Sequence, residues 1–116
     1  MAPELQHKLL RVLQNSPNIS QRELSEVLGI SLGRANFCLQ ALIEKGFIKA
    51  KNFKNNKNKL SYVYLLTPQG LQEKAELTRK FFEIKKREYE ELKKEVEALN
   101  LPEEPPEQNK EIPVIG

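Results

Sequence analysis

Lysine side chains are the most conspicuous chemical groups in this sequence. Six lysines and no acidic residue lie between positions 45 and 59. Ammonium groups at this density suit a polyanion, because each lysine placed on a phosphate releases counterions and adds affinity without sequence preference. An exposed loop can also be rich in lysine merely because it is solvated. We favour phosphate contact, made by Lys51, Lys54, Lys57 and Lys59.

Groups for catalysis are scarce by comparison. The chain has one cysteine, one histidine and no aspartate. Such a set excludes a disulfide framework, a cysteine-rich metal site and a cluster of histidine ligands. No nucleophile–base pair or phosphate-binding glycine loop can be assembled either. We therefore expect no enzyme activity, no metal and no cofactor. Cys38 is expected to be a small buried side chain, with a redox sensor as the alternative, and His7 is expected at the surface.

Charge is distributed unevenly along the 116 residues, whose formal net charge is +3. The segment from Asn100 onward holds four Glu and one Lys, whereas the residues before it hold 18 basic and 12 acidic side chains. A basic body favours a polyanionic partner such as nucleic acid, although solubility alone can explain it. Apolar runs are too short for a membrane span and the N-terminus does not resemble a signal peptide. We expect a cytoplasmic protein with no membrane partner.

Three short helices are predicted before the lysine run. The first covers residues 3–15, with proline in its first turn. A capping box at Ser20 and Glu23 begins the second, and Gly29 ends it because glycine tolerates a left-handed backbone. Ser31 can cap the third helix, which closes at residues 45–46. Further expectations are a single sheet bridge at Ile19 and a buried second-helix face formed by Leu24, Val27 and Leu28.

Two strand-like segments flank the polar part of the lysine run, at residues 48–53 and 61–66. They indicate a β-hairpin with a basic loop. Two helices joined by a short glycine-containing turn are typical of a helix-turn-helix, and a hairpin after the third helix makes it winged. The fold class predicted is mainly α with a small β-hairpin.

The third helix of such a fold enters the major groove of DNA and touches base edges with its exposed side chains. Arg34 can pair with guanine, Asn36 or Gln40 with adenine, and Phe37 can touch a thymine methyl. The alternative is a helix face that merely contacts water, but two exposed apolar side chains, Leu32 and Phe37, are unusual on such a face. The predicted contacts are Ser31, Leu32, Gly33, Arg34, Asn36, Phe37 and Gln40.

A heptad seam follows the hairpin. Thr67 and Pro68 suit the start of a helix. From Leu71, seam positions recur at alternating spacings of four and three, the pattern of a coiled coil. The preceding 67 residues are too few to cover so long a stripe, so part of it must meet another chain; folding back on its own domain is the alternative. Lys85 also lies in this seam. The predicted dimerisation residues are Leu71, Ala75, Thr78, Phe82, Tyr89, Leu92, Val96 and Leu99.

These elements divide the chain into three predicted parts. Residues 1–67 form the winged helix-turn-helix domain, and residues 68–99 form a long coiled-coil helix for dimerisation. Residues 100–116 are rich in proline and glutamate without apolar periodicity, so a disordered tail is expected. The charged residues on either side of the seam do not decide whether the two helices of the coiled coil run parallel or antiparallel.

Several motifs resemble the MarR-type winged helix. They are Ile30-Ser31, the apolar positions Ala35, Leu39 and Leu42, and the segment EKGFI at 44–48. YLLTPQG at 64–70 is similar to that family's second wing strand and its LTxxG helix start. The short N-terminus and long C-terminal helix look most like small regulators associated with exopolysaccharide gene clusters. This resemblance implies a dimeric transcriptional regulator on a palindromic operator.

The chain departs from that family at three points. It lacks the usual extra N-terminal helix, it has Asn and Lys where the wing tip often has Arg, and position 37 is Phe instead of a basic residue. The sequence therefore does not predict whether a small-molecule effector binds. Our first hypothesis is a homodimeric, sequence-specific regulator that binds double-stranded DNA. The second is a winged-helix adaptor that docks a different protein through its coil.

Overall fold

The structure is a computed structural model in which residues 1–54 and 60–100 are described, with backbone alone at positions 53, 54, 60 and 61. The wing-loop residues Lys57 and Lys59, and residues 101–116 of the predicted tail, lie outside the described residues. Within the described residues, four helices and one hairpin follow each other. They are α1 (Pro3–Asn15), α2 (Gln21–Leu28), α3 (Leu32–Glu44), β1 (Ile48–Lys54), β2 (Leu60–Leu66) and α4 (Pro68–Ala98).

The predicted fold class is confirmed: three short helices, a two-stranded antiparallel hairpin and a long C-terminal helix. The hairpin pairs Ile48 with Leu66 at its base and Lys54 with Leu60 at its outer end. The first three helices and the base of the hairpin surround one apolar core. Its fully buried side chains are Leu9, Leu10, Leu13, Leu24, Leu39, Leu42 and Ile48.

Local signals determine where the short helices begin and end. The Ser20 hydroxyl accepts from the Glu23 amide at 3.0 Å, and a Glu23 carboxylate oxygen accepts from the Ser20 amide at 3.3 Å. This is the predicted capping box, which satisfies two amides that the first turn leaves open. Gly29 ends α2 at φ +67°, a left-handed conformation that favours glycine. Ser31 caps α3 by accepting from the Arg34 amide at 3.1 Å.

Two expectations about this region are wrong. Val27 is 63% exposed, and α2 buries Leu24 and Ser25 instead. Successive helical residues are about 100° apart, so a face centred between Leu24 and Ser25 includes Leu28 and leaves Val27 about 110° away. The sheet formed by the described residues has two strands, without a bridge at Ile19. The chain before α2 meets the hairpin through the Tyr64 amide, which donates to the Pro17 carbonyl at 3.1 Å.

Polar contacts attach the first part of α4 to α1. The Gln6 side chain, which is buried, donates to a Glu73 carboxylate oxygen at 3.3 Å and accepts from Lys45 Nζ at 3.3 Å. Farther along α4, Leu77 is buried. These contacts join the end of α3, α1 and the first turns of α4.

The start of α4 explains the LTPQG segment. The Thr67 hydroxyl accepts from the Gly70 amide at 3.0 Å and donates to the Gly46 carbonyl at 2.6 Å. The Thr67 amide donates to the Phe47 carbonyl at 3.0 Å. A Cβ at position 70 would lie 1.9 Å from that same Phe47 oxygen, so the backbones can approach this closely because residue 70 is glycine.

The chain divides into two compact units, Met1–Lys80 and Phe81–Gly116, and the division falls within α4. The first unit holds the winged helix-turn-helix and the first turns of α4. The described part of the second unit is the remainder of α4 and the turn at residues 99–100. The predicted boundary at residues 67 and 68 coincides with the start of α4, and the three predicted parts stay predictions.

Candidate nucleic-acid interface

Helix α3 has one buried face and one exposed face. Ala35, Cys38, Leu39 and Leu42 are nearly or fully inaccessible to solvent and fix how the helix sits on the core. The buried position of Cys38 agrees with the structural role expected from the sequence. A short turn after α2 holds the start of α3, because the Ile30 amide donates to the Ser25 carbonyl at 3.0 Å. The orientation of α3 is therefore determined by packing on one side and by the turn at its N-terminus.

Every residue predicted to contact bases lies on the exposed face of α3 or at its N-terminus. Phe37 is 72% exposed and Leu32 is also exposed. In an isolated domain these two apolar side chains stay in contact with water and gain no free energy from burial. Beside them are the guanidinium and amide side chains that can pair with base edges. The exposed set is Ser31, Leu32, Gly33, Arg34, Asn36, Phe37 and Gln40.

Gly33 is not required by the fold. A Cβ built there meets no atom within 4 Å, and its φ is not in the left-handed region. The absence of a side chain leaves the α3 backbone open at the end that would approach DNA. Ser31 is exposed as well, but its hydroxyl already accepts from the Arg34 amide.

The hairpin presents lysines on one face. Lys49 is paired with Leu65 and Lys51 with Val63, so their side chains share the face opposite Ile48 and Tyr64. Both lysines are exposed. The side chain of Lys54, together with Lys57 and Lys59, lies outside the described residues. A contact between these wing lysines and phosphate stays a prediction.

Lys45 differs from the other lysines of the run. Its Nζ donates to Gln6 Oε1 on α1 at 3.3 Å. The sequence groups Lys45 with the wing lysines because it lies at the start of the acid-free run at positions 45–59. The hydrogen bond to Gln6 on α1 distinguishes Lys45 from the wing lysines.

Tyr62 is a further candidate, which was not among the residues predicted to contact DNA. It shares a face with Tyr64, and the two rings stack with centroids 6.1 Å apart. Tyr64 is buried and its hydroxyl accepts from Gln21 Nε2 at 3.1 Å, whereas Tyr62 is 51% exposed. Both line a cavity of about 360 Å³ beside Ser20 at the start of α2. Alternation of side chains predicts the shared face, but the exposure depends on where the core ends along β2.

His7 contacts α4. Its Nε2 lies 2.8 Å from the Thr78 hydroxyl, which itself donates to the Lys74 carbonyl at 2.7 Å. Partial burial lowers the pKa of His7 below 6.5, and the positive charges of Arg11 and Lys74 lower it further. Thr78, one of the predicted dimerisation residues, therefore already has a partner within its own chain.

Beyond residue 80, large apolar side chains line one stripe of α4. Phe82, Tyr89, Leu92 and Leu99 are between 55% and 68% exposed, and Val96 is partly buried. The spacing matches the predicted seam. Lys85, the polar member of this part of the seam, has its Nζ 3.6 Å from Glu88 Oε2.

A bilayer-spanning helix would have to be long and strongly apolar, and none of the helices within residues 1–54 and 60–100 is both.

Comparison with known proteins supports the winged-helix assignment. Residues 3–49 match the family described as winged helix-turn-helix DNA-binding. The comparison with curated proteins gave no match.

Several solved structures have a similar fold. Staphylococcus aureus MarR in complex with salicylate and kanamycin aligns with a TM-score of 0.60 at 20% identity, over 82% of this chain and 67% of that one. A Mycobacterium tuberculosis MarR family protein bound to p-aminosalicylic acid gives 0.58 at 22% identity, over 84% and 77%.

The zinc-dependent MarR family transcriptional regulator AdcR, in its Zn(II)-bound state, gives a TM-score of 0.57 at 20% identity over 79% of this chain. The chain spans only 60% of the length of AdcR. At these identities the likeness concerns the fold, which is the winged helix-turn-helix fold of these MarR family proteins.

Proposed function

We propose that this chain is a MarR-type transcriptional regulator that binds double-stranded DNA as a homodimer on a palindromic operator. The observation that carries the proposal is the exposed face of α3, where Phe37 is 72% exposed beside Arg34 and two amide side chains. The match of residues 3–49 to a DNA-binding winged helix and the fold shared with named transcriptional regulators support it.

Arg34 and its neighbours on α3 select the sequence. A guanidinium can donate two hydrogen bonds to one guanine, so Arg34→Ala should cost roughly 1–3 kcal/mol on the operator and much less on random DNA. The operator is first selected from a random DNA pool, and affinities are then measured by fluorescence anisotropy. Arg87→Ala, which removes an exposed arginine from the second unit, is the matched control. Equal losses on operator and random DNA would assign Arg34 to the phosphate backbone.

The wing lysines supply affinity without sequence preference. Replacing Lys54, Lys57 and Lys59 together with alanine should weaken operator and random DNA alike and flatten the dependence of affinity on salt. The control is a second triple variant that changes three exposed lysines outside the wing to alanine, namely Lys8, Lys80 and Lys94. It loses the same net charge but no wing contact. Identical behaviour of the two triples would contradict a wing–phosphate contact.

Homodimerisation through α4 accounts for the exposed stripe beyond residue 80. A single recognition helix reads few base pairs, whereas two related by a two-fold axis read half-sites about one helical turn apart. Leu92→Glu places a charge in the stripe and should make the protein monomeric in sedimentation at micromolar concentration. Lys94→Glu adds an acid on the face of α4 opposite the stripe and should leave a dimer. A monomeric unmodified protein would overturn the homodimer and the palindromic site.

The class of target genes follows from the sequence resemblance to exopolysaccharide-associated regulators. Mapping the DNA bound by the protein in its own cells tests this assignment. Binding sites upstream of polysaccharide genes would support it, and their absence there would remove it without affecting the DNA-binding proposal.

A further inference from the structure

The flanks of the exposed stripe on α4 have opposite charges. In heptad terms, Phe82, Tyr89 and Val96 occupy the a positions, and Lys85, Leu92 and Leu99 the d positions. The g positions that precede the a residues include Glu88 and Glu95. The e positions that follow the d residues include Lys86 and Lys93. From residue 82 to 99, each charged residue at g is therefore Glu and each at e is Lys.

The structure limits the stripe available to a partner. Glu73 and Thr78 contact Gln6 and His7 of their own chain, and Leu77 is buried. Lys74 and Arg79, which would repel each other across a parallel coil, belong to this first unit. The coil segment that remains begins at Phe82, and its flanks contain no such repulsive parallel pair.

The remaining flank charges distinguish the two orientations. In a parallel coiled coil, a g residue faces the e residue five positions farther along the other helix. Glu88 then faces Lys93 of the partner subunit, and symmetry gives this attractive pair twice. In an antiparallel coil, g faces g and e faces e, so glutamates meet glutamates and lysines meet lysines. This holds for any antiparallel register within residues 82–99.

Lys85 opposes the parallel arrangement, because symmetry brings it next to Lys85 of the partner subunit. Its Nζ already lies 3.6 Å from Glu88 Oε2, which draws the ammonium group out of the seam toward the flank. Glu88 can then contact Lys85 of its own chain and, at the same time, Lys93 of the partner subunit. A polar seam position of this kind lowers stability but fixes the register, because any shift would place the lysine against an apolar layer.

We propose that residues 82–99 pair with the same residues of a second copy as a parallel, in-register coiled coil. This inference rests on the proposed homodimer and adds its orientation. The two helices then begin at the same end of the coil, with Phe82 next to Phe82 of the partner subunit and Val96 next to Val96 of the partner subunit.

Charge reversal at the flanks tests the orientation by the sign of its effect. In the parallel coil, Glu88→Lys and Lys93→Glu each turn two attractive pairs into repulsive ones. Each should raise the dimer dissociation constant on the order of 3- to 30-fold, and the double variant should restore it. In an antiparallel coil each single change relieves a repulsion and tightens the dimer. Glu91→Lys, which adds the same charge off the flanks, is the control.

Cross-linking tests the register directly. Phe82→Cys and Val96→Cys each place a thiol at the seam, and the unmodified protein with its buried Cys38 gives the background. In a parallel coil each variant alone should form a covalent dimer under mild oxidation. A mixture should give no link between the two different variants, because those positions are about 21 Å apart along the helix.

The outcomes separate the orientation from the homodimer itself. A dimer in which only the mixed variants cross-link, or in which both single charge reversals tighten association, would overturn the parallel arrangement and leave the homodimer standing. A monomer in sedimentation would overturn both. Homotypic cross-linking together with weakening by both single reversals would establish the proposal.

Discussion

Replacing Gly70 with alanine tests how closely α4 must approach the turn after α3. A Cβ at position 70 would lie 1.9 Å from the Phe47 carbonyl oxygen and 2.9 Å from its carbonyl carbon. Ordinary contact between such atoms requires more than about 3 Å, so the backbone of one element must move by roughly 1 Å or more. Overpacking of this kind typically costs about 1–3 kcal/mol.

Two further terms contribute to the change in the free energy of unfolding caused by Gly70→Ala. Alanine improves helix propensity by up to about 1 kcal/mol relative to glycine, which opposes the clash. The displaced Phe47 carbonyl also accepts from the Thr67 amide at 3.0 Å, and loss of that hydrogen bond costs about 1 kcal/mol. These two terms nearly cancel. We expect a net destabilisation of about 1–3 kcal/mol, or a melting temperature lower by roughly 5–20 °C for a domain of this size.

Gly33→Ala is the matched control, because it adds the same methyl group to a helix where no atom lies within 4 Å. It should leave stability unchanged or raise it by up to about 1 kcal/mol. Both variants are measured by thermal and urea unfolding followed by circular dichroism. If Gly70→Ala were as stable as Gly33→Ala, the close approach between α4 and Phe47 would not exist as described.

Three further changes test the caps and the contact between α1 and α4. Ser20→Ala removes one half of the capping box and should cost about 0.5–2 kcal/mol in urea unfolding, whereas Ser20→Thr should recover most of it. Thr67→Val keeps the shape of the side chain but loses both hydroxyl hydrogen bonds; we expect a loss of about 1–3 kcal/mol that Thr67→Ser largely restores. Because burial, Arg11 and Lys74 lower the pKa of His7, the unfolded chain takes up a proton near pH 6.5 before the folded chain does. Stability should therefore fall as the pH drops through 6.5 toward the folded pKa, and His7→Gln should show less of this fall than the unmodified protein.

Local signals made much of the fold predictable. The capping box at Ser20, the left-handed Gly29 and the cap at Ser31 lie where short-range chemistry requires them. Each depends on hydrogen bonds that span three residues or fewer, or on a single φ angle. The exposure of Phe37 was predictable for a related reason, because the buried positions of α3 define the opposite face by helical periodicity.

Long-range partners were not predictable in the same way. Val27 continues the apolar pattern of α2, yet the core lies on the other side of Leu24. Lys45 belongs to the basic run in sequence but donates to Gln6, 39 positions earlier in the chain. Tyr62 and Tyr64 have the same type and the same face, and only the limit of the core along β2 makes one buried and the other exposed.

Helix α4 shows why a heptad pattern alone does not identify its partner. The same spacing runs from Leu71 to Leu99, so the sequence treats the stripe as one surface. Thr78, inside that stripe, bonds to His7 of its own chain, whereas Phe82, Tyr89, Leu92 and Leu99 have large exposed areas. Apolar spacing predicts that a stripe will be covered, and the polar groups beside it determine what can cover it. In the first unit those groups bond to side chains of the same chain. Beyond residue 80 they form oppositely charged flanks, which we expect a second copy of the chain to cover.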